Sequence, residues 1–202
     1  MGQKIVLASA SPRRKELLKG LGLTFAVDVC PVDEEMDACS INVSPAKWVM
    51  FLAQKKAKAV VGKYQEGLVI GADTVVFLPS EASSKKGEVF GKPKDDAHAF
   101  TMLMKLQGRK HQVYSGVAIL DAATGKEAVS FTQTDVEFCT LQEEEIKRYI
   151  ATKEPEGKAG AYAIQGLGAT MVQRIEGDYF NVVGLPLFLL GKMLQQFGVK
   201  VI

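Results

Sequence analysis

Apolar residues recur along this chain in two rhythms, and the switches between them predict its elements. Short runs dense in Val, Ile and Leu read as strands; apolar positions three and four apart read as helix faces. Lys4–Ala8 is a run of the first kind, leading into Ser9, Ser11 and Pro12 and then into Leu17, Leu18 and Leu21 at helical spacing. Ser11 suits an N-cap and Pro12 the first helical position, so strand, tight turn and helix start follow one another. Gly20 and Gly22 carry stop chemistry before a second short strand at Thr24–Val29. Ser44 and Pro45 repeat the cap, and Trp48, Leu52, Ala53, Ala57 and Val60 extend a helix to about Val61. Leu68–Leu78 is apolar at nearly every position, which predicts a central strand buried on both faces. Pro79–Gly91, rich in Ser, Lys, Glu and Gly, reads as an exposed, mobile loop.

Asp95–Gln107 has a helical apolar face of Ala99, Met102, Leu103 and Leu106, with Gly108 as its stop. Gln112–Asp121 and Ala128–Phe138 alternate around Ala122–Gly125, which predicts an antiparallel hairpin. Thr140 and Glu143 have capping-box spacing ahead of a helix carrying Ile146, Tyr149 and Ile150. Ala169–Ile175 and Tyr179–Val183 read as strands about a turn at Gly177–Asp178. Pro186 opens a last amphipathic helix through Phe197, and Val199–Ile202 adds an edge strand.

Composition narrows the function classes. At 202 residues, 47% hydrophobic and 24% charged, the chain has the make-up of one sizeable globular core. A formal charge of +2 gives no global case for a nucleic-acid or membrane partner. Cys30, Cys39 and Cys139 are too scattered for a disulfide framework or a Cys-based zinc site, and an odd count points to a reducing cytoplasm. His98 and His111 read as structural. No apolar run approaches the roughly 20 residues of a membrane span, and no targeting segment is legible. Met1–Gly2 lacks the Ser or Thr of a myristoylation motif, since Val6 occupies that position.

Local chemistry changes the picture. Ser9, Ser11, Arg13 and Arg14 gather two hydroxyls and two guanidiniums at a helix start, the makings of a phosphate site. The same residues also suit an ordinary capped helix with solvated arginines. Asp33, Glu34, Glu35 and Asp37 form either a solvated acidic turn or a source of one metal ligand. Asp73 interrupts the most apolar strand, which is costly unless it is paired or binds metal. Pro93 holds Lys92 in an extended segment. Lys153–Gly168 is glycine-rich but joins no strand to a helix, so it is not a dinucleotide fingerprint, and Gly91–Lys92–Pro93 is not a Walker A motif. Gln165 within it offers a donor and an acceptor on one planar amide, suited to a planar polar edge.

Taken in order, LASASPRRKELL at 7–18, VDEE at 32–35, LAQKKA at 52–57, VIGADTVV at 69–76, GKPKD at 91–95, EPEGKAGAYAIQG at 154–166 and GDYFNVVGLPL at 177–187 resemble the Maf family of nucleoside triphosphate pyrophosphatases. KAGAYAIQG is similar to the branch acting on dTTP and UTP. The resemblance implies an α/β, ITPase-like (Maf/HAM1-type) fold: a curved mixed sheet flanked by helices, two lobes around a cleft, and one domain over residues 1–202. It implies hydrolysis between the α and β phosphates with Mg²⁺ or Mn²⁺, a cytoplasmic location, a nucleotide substrate rather than nucleic acid or membrane, and a homodimer. Residue by residue it implies phosphate contacts from Ser9, Ser11, Arg13 and Arg14, a metal held by Glu34 and Asp73, and catalytic lysines Lys56 and Lys92. The resemblance also implies that Asp73 is the general base, the role proposed for it in the family, and that Arg13, Thr74 and Gln165 are tied to pyrimidine choice. Three departures stand out: Gly157 where the family has Asp, Ala163 where it has Gly, and a longer Pro79–Gly91 segment. Two alternatives remain open, a nucleotide-binding regulator of cell division without turnover and a pyrophosphatase for modified nucleotides.

Overall fold

Alternation along the first strand, β1 (Ile5–Leu7), sends Ile5 and Leu7 to one face and Val6 to the other, and all three are buried. The computed structural model describes residues 3–32, 44–80 and 83–202, with the backbone alone at 83–85. Glu34, Glu35 and the rest of the acidic turn lie outside the described residues. After β1 come α1 (Pro12–Gly20), β2 (Phe25–Val27), α2 (Pro45–Val61), β3 (Leu68–Ser80) and β4 (Ser83–Phe90). Then follow α3 (Asp96–Leu106), β5 (Lys110–Asp121), β6 (Glu127–Phe138) and α4 (Glu143–Ala151). Two 3-10 turns, Ala159–Ala161 and Gly166–Met171, precede β7 (Val172–Glu176), α5 (Tyr179–Val183) and α6 (Leu187–Gln195). The strands form one sheet in the order β2-β1-β3-β5-β6-β7, with β4 also on β3. β1 runs parallel to β2 and β3, while β4 is antiparallel to β3 and β7 to β6. The class is therefore the expected α/β fold with a mixed sheet and helices.

Two compact units are built on these strands. The first comprises Met1–Asp73, Ser115–Thr132 and Gly184–Ile202. Its sheet is covered on both faces. Ile5, Leu7, Leu68, Ile70, Val117 and Ile119 pack with Leu18 of α1 and Leu190 and Leu194 of α6. The alternate residues Val6, Val69, Ala118 and Leu120 pack with Ala53, Ala57 and Val60 of α2. Each Leu or Ile so buried contributes roughly 1.5–3 kcal/mol, and double coverage is why β3 carries almost no polar positions.

α2 lies unusually close to the sheet because glycine faces it. A Cβ at Gly71 would overlap the Ala53 carbonyl oxygen and lie 2.9 Å from the Ala57 nitrogen; one at Gly116 would overlap the Val49 carbonyl. The contact is backbone on backbone, so it has no flexible side chain to yield. Gly71→Ala is therefore expected to cost roughly 1–3 kcal/mol through overpacking. Chemical denaturation checks this: an unchanged midpoint would show that α2 does not rest on the glycine.

The second unit comprises Thr74–Tyr114 and Gln133–Val183. Here four expectations are corrected. Pro79–Gly91 is not a loop over its described length: β4 pairs with β3 from Val76↔Phe90 to Ser80↔Ser83, with a register shift at Pro79/Ser80. Among the described residues β4 pairs with β3 alone, and such a strand tolerates exposed residues such as Lys86 and Glu88, so its composition imitates a loop. Lys105 of α3 donates to Glu88 of β4 at 2.7 Å. The α4 cap is Gln142 rather than Thr140, with the Gln142 amide donating to Glu145 at 2.8 Å. Residues 139–141 stay outside the helix, where the Cys139 amide donates to the Met171 carbonyl and the Leu141 amide to Gln107.

A 3-10 turn occupies Gly166–Met171, so β7 starts only at Val172. Tyr179–Val183 is a helix, not a strand. Asp178 accepts from the Phe180 amide at 2.8 Å, and Asn181 turns inward to donate to the Val113 carbonyl and Thr134 Oγ1, both at 2.9 Å. In the first unit Val199–Ile202 forms no strand. The Val199 amide closes α6 on the Leu194 carbonyl, and Val199 and Val201 pack onto the core instead.

Candidate active site

The turn between β1 and α1 is built as the cap chemistry requires. Ser11 Oγ accepts from the Arg14 amide at 3.5 Å, and Pro12 opens the helix. Ser9, buried at the end of β1, accepts from the Ser11 amide at 3.3 Å and from Arg14 Nη1 at 3.2 Å. A hydroxyl has one proton to donate. Neither Ser9 nor Ser11 donates it to a protein acceptor among the described residues, while both accept. The helix start thus presents two O–H donors beside its positive end, an arrangement ready for an anion.

Arg14 does work that its sequence neighbourhood did not disclose. Its Nε donates to the Gly184 carbonyl and its Nη1 to the Ala72 carbonyl, both at 2.9 Å. Those bonds tie α1 to β3 and to the segment leading into α6. Arg14 is therefore a brace that holds the turn and its serines in place. Arg13 is half-exposed on the first turn.

Asp73 and Lys56 meet in the same unit. Period-two alternation along β3 places Val69, Gly71 and Asp73 on the face covered by α2, and Lys56 lies one residue before Ala57 on that helix. The close approach at Gly71 delivers Lys56 Nζ to Asp73 Oδ1 at 2.6 Å, with side-chain exposures of 12% and 10%. This pair is the answer to the charged residue in an apolar strand: the carboxylate is compensated and held in one orientation. Among the described residues no group of three or more His, Cys, Asp or Glu could hold a metal ion. Glu34, the other carboxylate of interest, lies outside the described residues.

The second unit holds Thr74, Lys92 and Gln165. Thr74 follows Asp73 on β3 and is half-buried. Lys92 is exposed on the extended segment after β4, where the Gly160 amide donates to the Gly91 carbonyl at 3.0 Å. Gly160 has φ +68°, and a Cβ there would meet Val76 Cγ2 at 2.7 Å, so this clamp requires glycine. Gln165 is exposed just before the Gly166–Met171 turn, and its amide has no partner among the described residues.

Gly157 has φ +68° with open space around its Cα. The turn is therefore left-handed there, which glycine adopts without strain. Lys158 donates to the Glu156 carbonyl at 3.0 Å, and its charge also acts on Glu154. Partial burial opposes ionisation of Glu154, but the Gly168 and Leu167 amides, the Tyr149 hydroxyl and Lys158 outweigh it and hold the carboxyl below its ordinary value. Sequence reasoning assigned Glu154 no role, and no local signal shows that two amides 13 and 14 residues away converge on it.

A family model described as Maf-like protein matches residues 4–197. A dTTP/UTP pyrophosphatase from Pelotomaculum thermopropionicum is 51% identical over 200 residues, covering 99% of this chain and 100% of that protein. Proteins of the same description from Desulforamulus reducens and Bacillus cytotoxicus are 46% and 49% identical, covering 98% and 96% of both chains. A solved nucleoside-triphosphatase, described as a dITP/XTP pyrophosphatase, from Mycobacterium abscessus aligns with 96% of this chain and 97% of its own at 16% identity and a TM-score of 0.42. No helix of the described residues is long and apolar enough to cross a membrane.

Proposed function

The chain belongs to the Maf family, and from that premise we propose that it is a nucleoside triphosphate pyrophosphatase acting on dTTP and UTP. Water adds across the link between the α and β phosphates, giving a nucleoside monophosphate and pyrophosphate. The observation that carries this reading is the Lys56–Asp73 pair: a carboxylate set in a central strand and oriented by an ammonium at 2.6 Å.

The chain's own groups divide the work. Ser9 and Ser11 donate their hydroxyl protons to phosphate oxygens, with Arg13 as the neighbouring cation and Arg14 keeping the turn in register. Asp73 accepts a proton from the attacking water, and Lys56 keeps the carboxylate aimed. Lys92 supplies further positive charge for phosphate, since such transfers depend mainly on positioning and charge. Thr74 and Gln165 read the pyrimidine; thymine and uracil both present an N–H donor beside carbonyl acceptors, which an amide complements.

Mg²⁺ in phosphate-transfer sites is held by one or two carboxylates together with substrate phosphates, so Asp73 with Glu34 fits Mg²⁺ or Mn²⁺. When bound, such an ion offsets phosphate charge and acidifies water. A cytoplasmic location, where the nucleotide pool lies, and a homodimer complete the proposal.

The test is to incubate the protein with each common nucleoside triphosphate and Mg²⁺ and to measure pyrophosphate and monophosphate. Release chiefly from dTTP and UTP is expected, with the preference flattened in Gln165→Ala. Well-folded protein that releases nothing from any nucleotide with either metal would favour a binding or regulatory role.

A further inference from the structure

We propose that Glu154 and Tyr149 form a bracket that positions Gln165 and so sets the choice of base; this rests on the reading of Gln165 given above. Gln165 has no strand ladder to hold it. It sits in the segment between the two 3-10 turns, followed by Gly166 at φ +77°. Its neighbours on both sides are nevertheless held. Before it, the Ala163 amide donates to the Tyr149 hydroxyl at 3.2 Å. After it, the Leu167 amide donates to Glu154 Oε2 at 3.0 Å and the Gly168 amide to Glu154 Oε1 at 2.8 Å. The Tyr149 hydroxyl donates to that same Oε1 at 3.0 Å, joining the two anchors into one device.

The surroundings are shaped to this contact. A Cβ at residue 166 would lie 2.6 Å from Glu154 Oε2 and displace that carboxylate, and the positive φ favours glycine there in any case. Lys153, directly before Glu154, has φ +63°, a conformation uncommon for a lysine. It turns the chain at the end of α4 so that Glu154 faces the loop, and the Glu154 amide is held on Thr152 Oγ1 at 3.2 Å. Tyr149 is buried in α4, which gives the bracket a rigid base.

Bonds from backbone amides to a carboxylate are stronger than neutral ones, and here they hold the second and third residues following Gln165, Leu167 and Gly168. An amide distinguishes uracil from cytosine only by where its donor and acceptor stand. Held within about half an ångström it discriminates, and on a loosened loop it rotates to suit either base. None of the serines, arginines or lysines assigned to phosphate takes part in the bracket. Loosening it should therefore change selection more than chemistry.

The experiment compares kcat and KM for UTP and CTP in wild type, Glu154→Ala, Tyr149→Phe, Gln165→Ala and the Glu154→Ala/Gln165→Ala double variant. In Glu154→Ala the UTP preference is expected to fall about tenfold, the worth of one well-placed hydrogen bond, with kcat for saturating UTP within about threefold of wild type. Tyr149→Phe should lose several-fold, and the double variant should be no less selective than Gln165→Ala, since both act through one amide. If Gln165→Ala flattens the preference while Glu154→Ala and Tyr149→Phe keep it, the bracket is overturned and the base-reading role stands. If Gln165→Ala itself keeps the preference, the reading of Gln165 fails and the bracket falls with it. Should Glu154→Ala not fold, Tyr149→Phe, which keeps the buried ring, decides alone.

Discussion

Asp73→Asn is expected to lose at least about 100-fold in turnover while the protein remains folded. The two effects separate because of what Lys56 meets. An asparagine has the same shape, and its Oδ1 can still accept from the Lys56 ammonium that now lies at 2.6 Å from Asp73. The amide cannot take a proton from water, so only the chemistry is removed. Asp73→Ala makes the contrast: it strips a nearly buried ammonium of this partner, and breaking such a pair costs about 3–5 kcal/mol. Steady-state turnover with UTP, read beside a thermal melt, checks both. An Asn variant as active as wild type would remove Asp73 from the base role. An Ala variant as stable as wild type would mean that the pair with Lys56 contributes little to the fold.

Acid is expected to destabilise the protein between pH 6.5 and 4.5 through one histidine. His111, on β5, is fully buried, and burial lowers its pKa from 6.5 to about 3 despite a counteracting backbone interaction with Arg109. Its Nε2 lies 2.8 Å from the Tyr162 hydroxyl, and its ring stands edge-on to Phe138 at 4.8 Å between centroids. The native state therefore keeps the ring neutral where the unfolded chain protonates it. Stability is undiminished above pH 6.5 and falls below it by about 1.4 kcal/mol per pH unit, continuing toward pH 3.

Carboxylates held low enter only later. Asp28 is lowered chiefly by its bond from Lys63, Asp121 by Thr124 and Glu144 by Lys147, and their contributions are lost only below the ordinary values of 3.8–4.5. The upper window thus isolates His111. Across it the loss approaches 3 kcal/mol, at about 1.4 per unit, against a typical domain stability of about 5–15 kcal/mol. Urea titrations at pH 6.5 and 4.5 measure it. His111→Phe combined with Tyr162→Phe, which leaves no orphaned hydroxyl, should flatten the dependence; an unchanged slope in that variant would assign the effect elsewhere.

Much of the molecule was legible along the chain wherever the governing chemistry is local. Ser11 with Pro12 and Ser44 with Pro45 cap α1 and α2 as their side chains dictate, because a cap bond spans three residues. The apolar run of β3 announced a strand covered on both faces, and Asp73 within it announced a compensated charge. Short elements were harder. β4 carries loop-like exposed residues such as Lys86 and Glu88 because, among the described residues, it pairs with β3 alone. Tyr179–Val183 has too few residues for periodicity to tell helix from strand, and the inward bonds of Asn181 decided the matter.

Residue types at the site were also determined by sequence: serines and arginines at a helix start, a carboxylate in an apolar strand, lysines on α2 and beside Pro93, an amide in a glycine-rich segment. What they do to one another was decided by the tertiary structure. Arg14 finds its acceptors on carbonyls 58 and 170 residues away, and Lys56 reaches Asp73 only because Gly71 lets α2 settle against the sheet. Glu154 grips amides on the far side of the Gln165 loop. Every residue but proline offers the same backbone N–H and every residue the same C=O, so sequence alone does not mark which of them a side chain will meet. Packing brings particular ones within hydrogen-bond reach, and that selection fixes what each side chain meets.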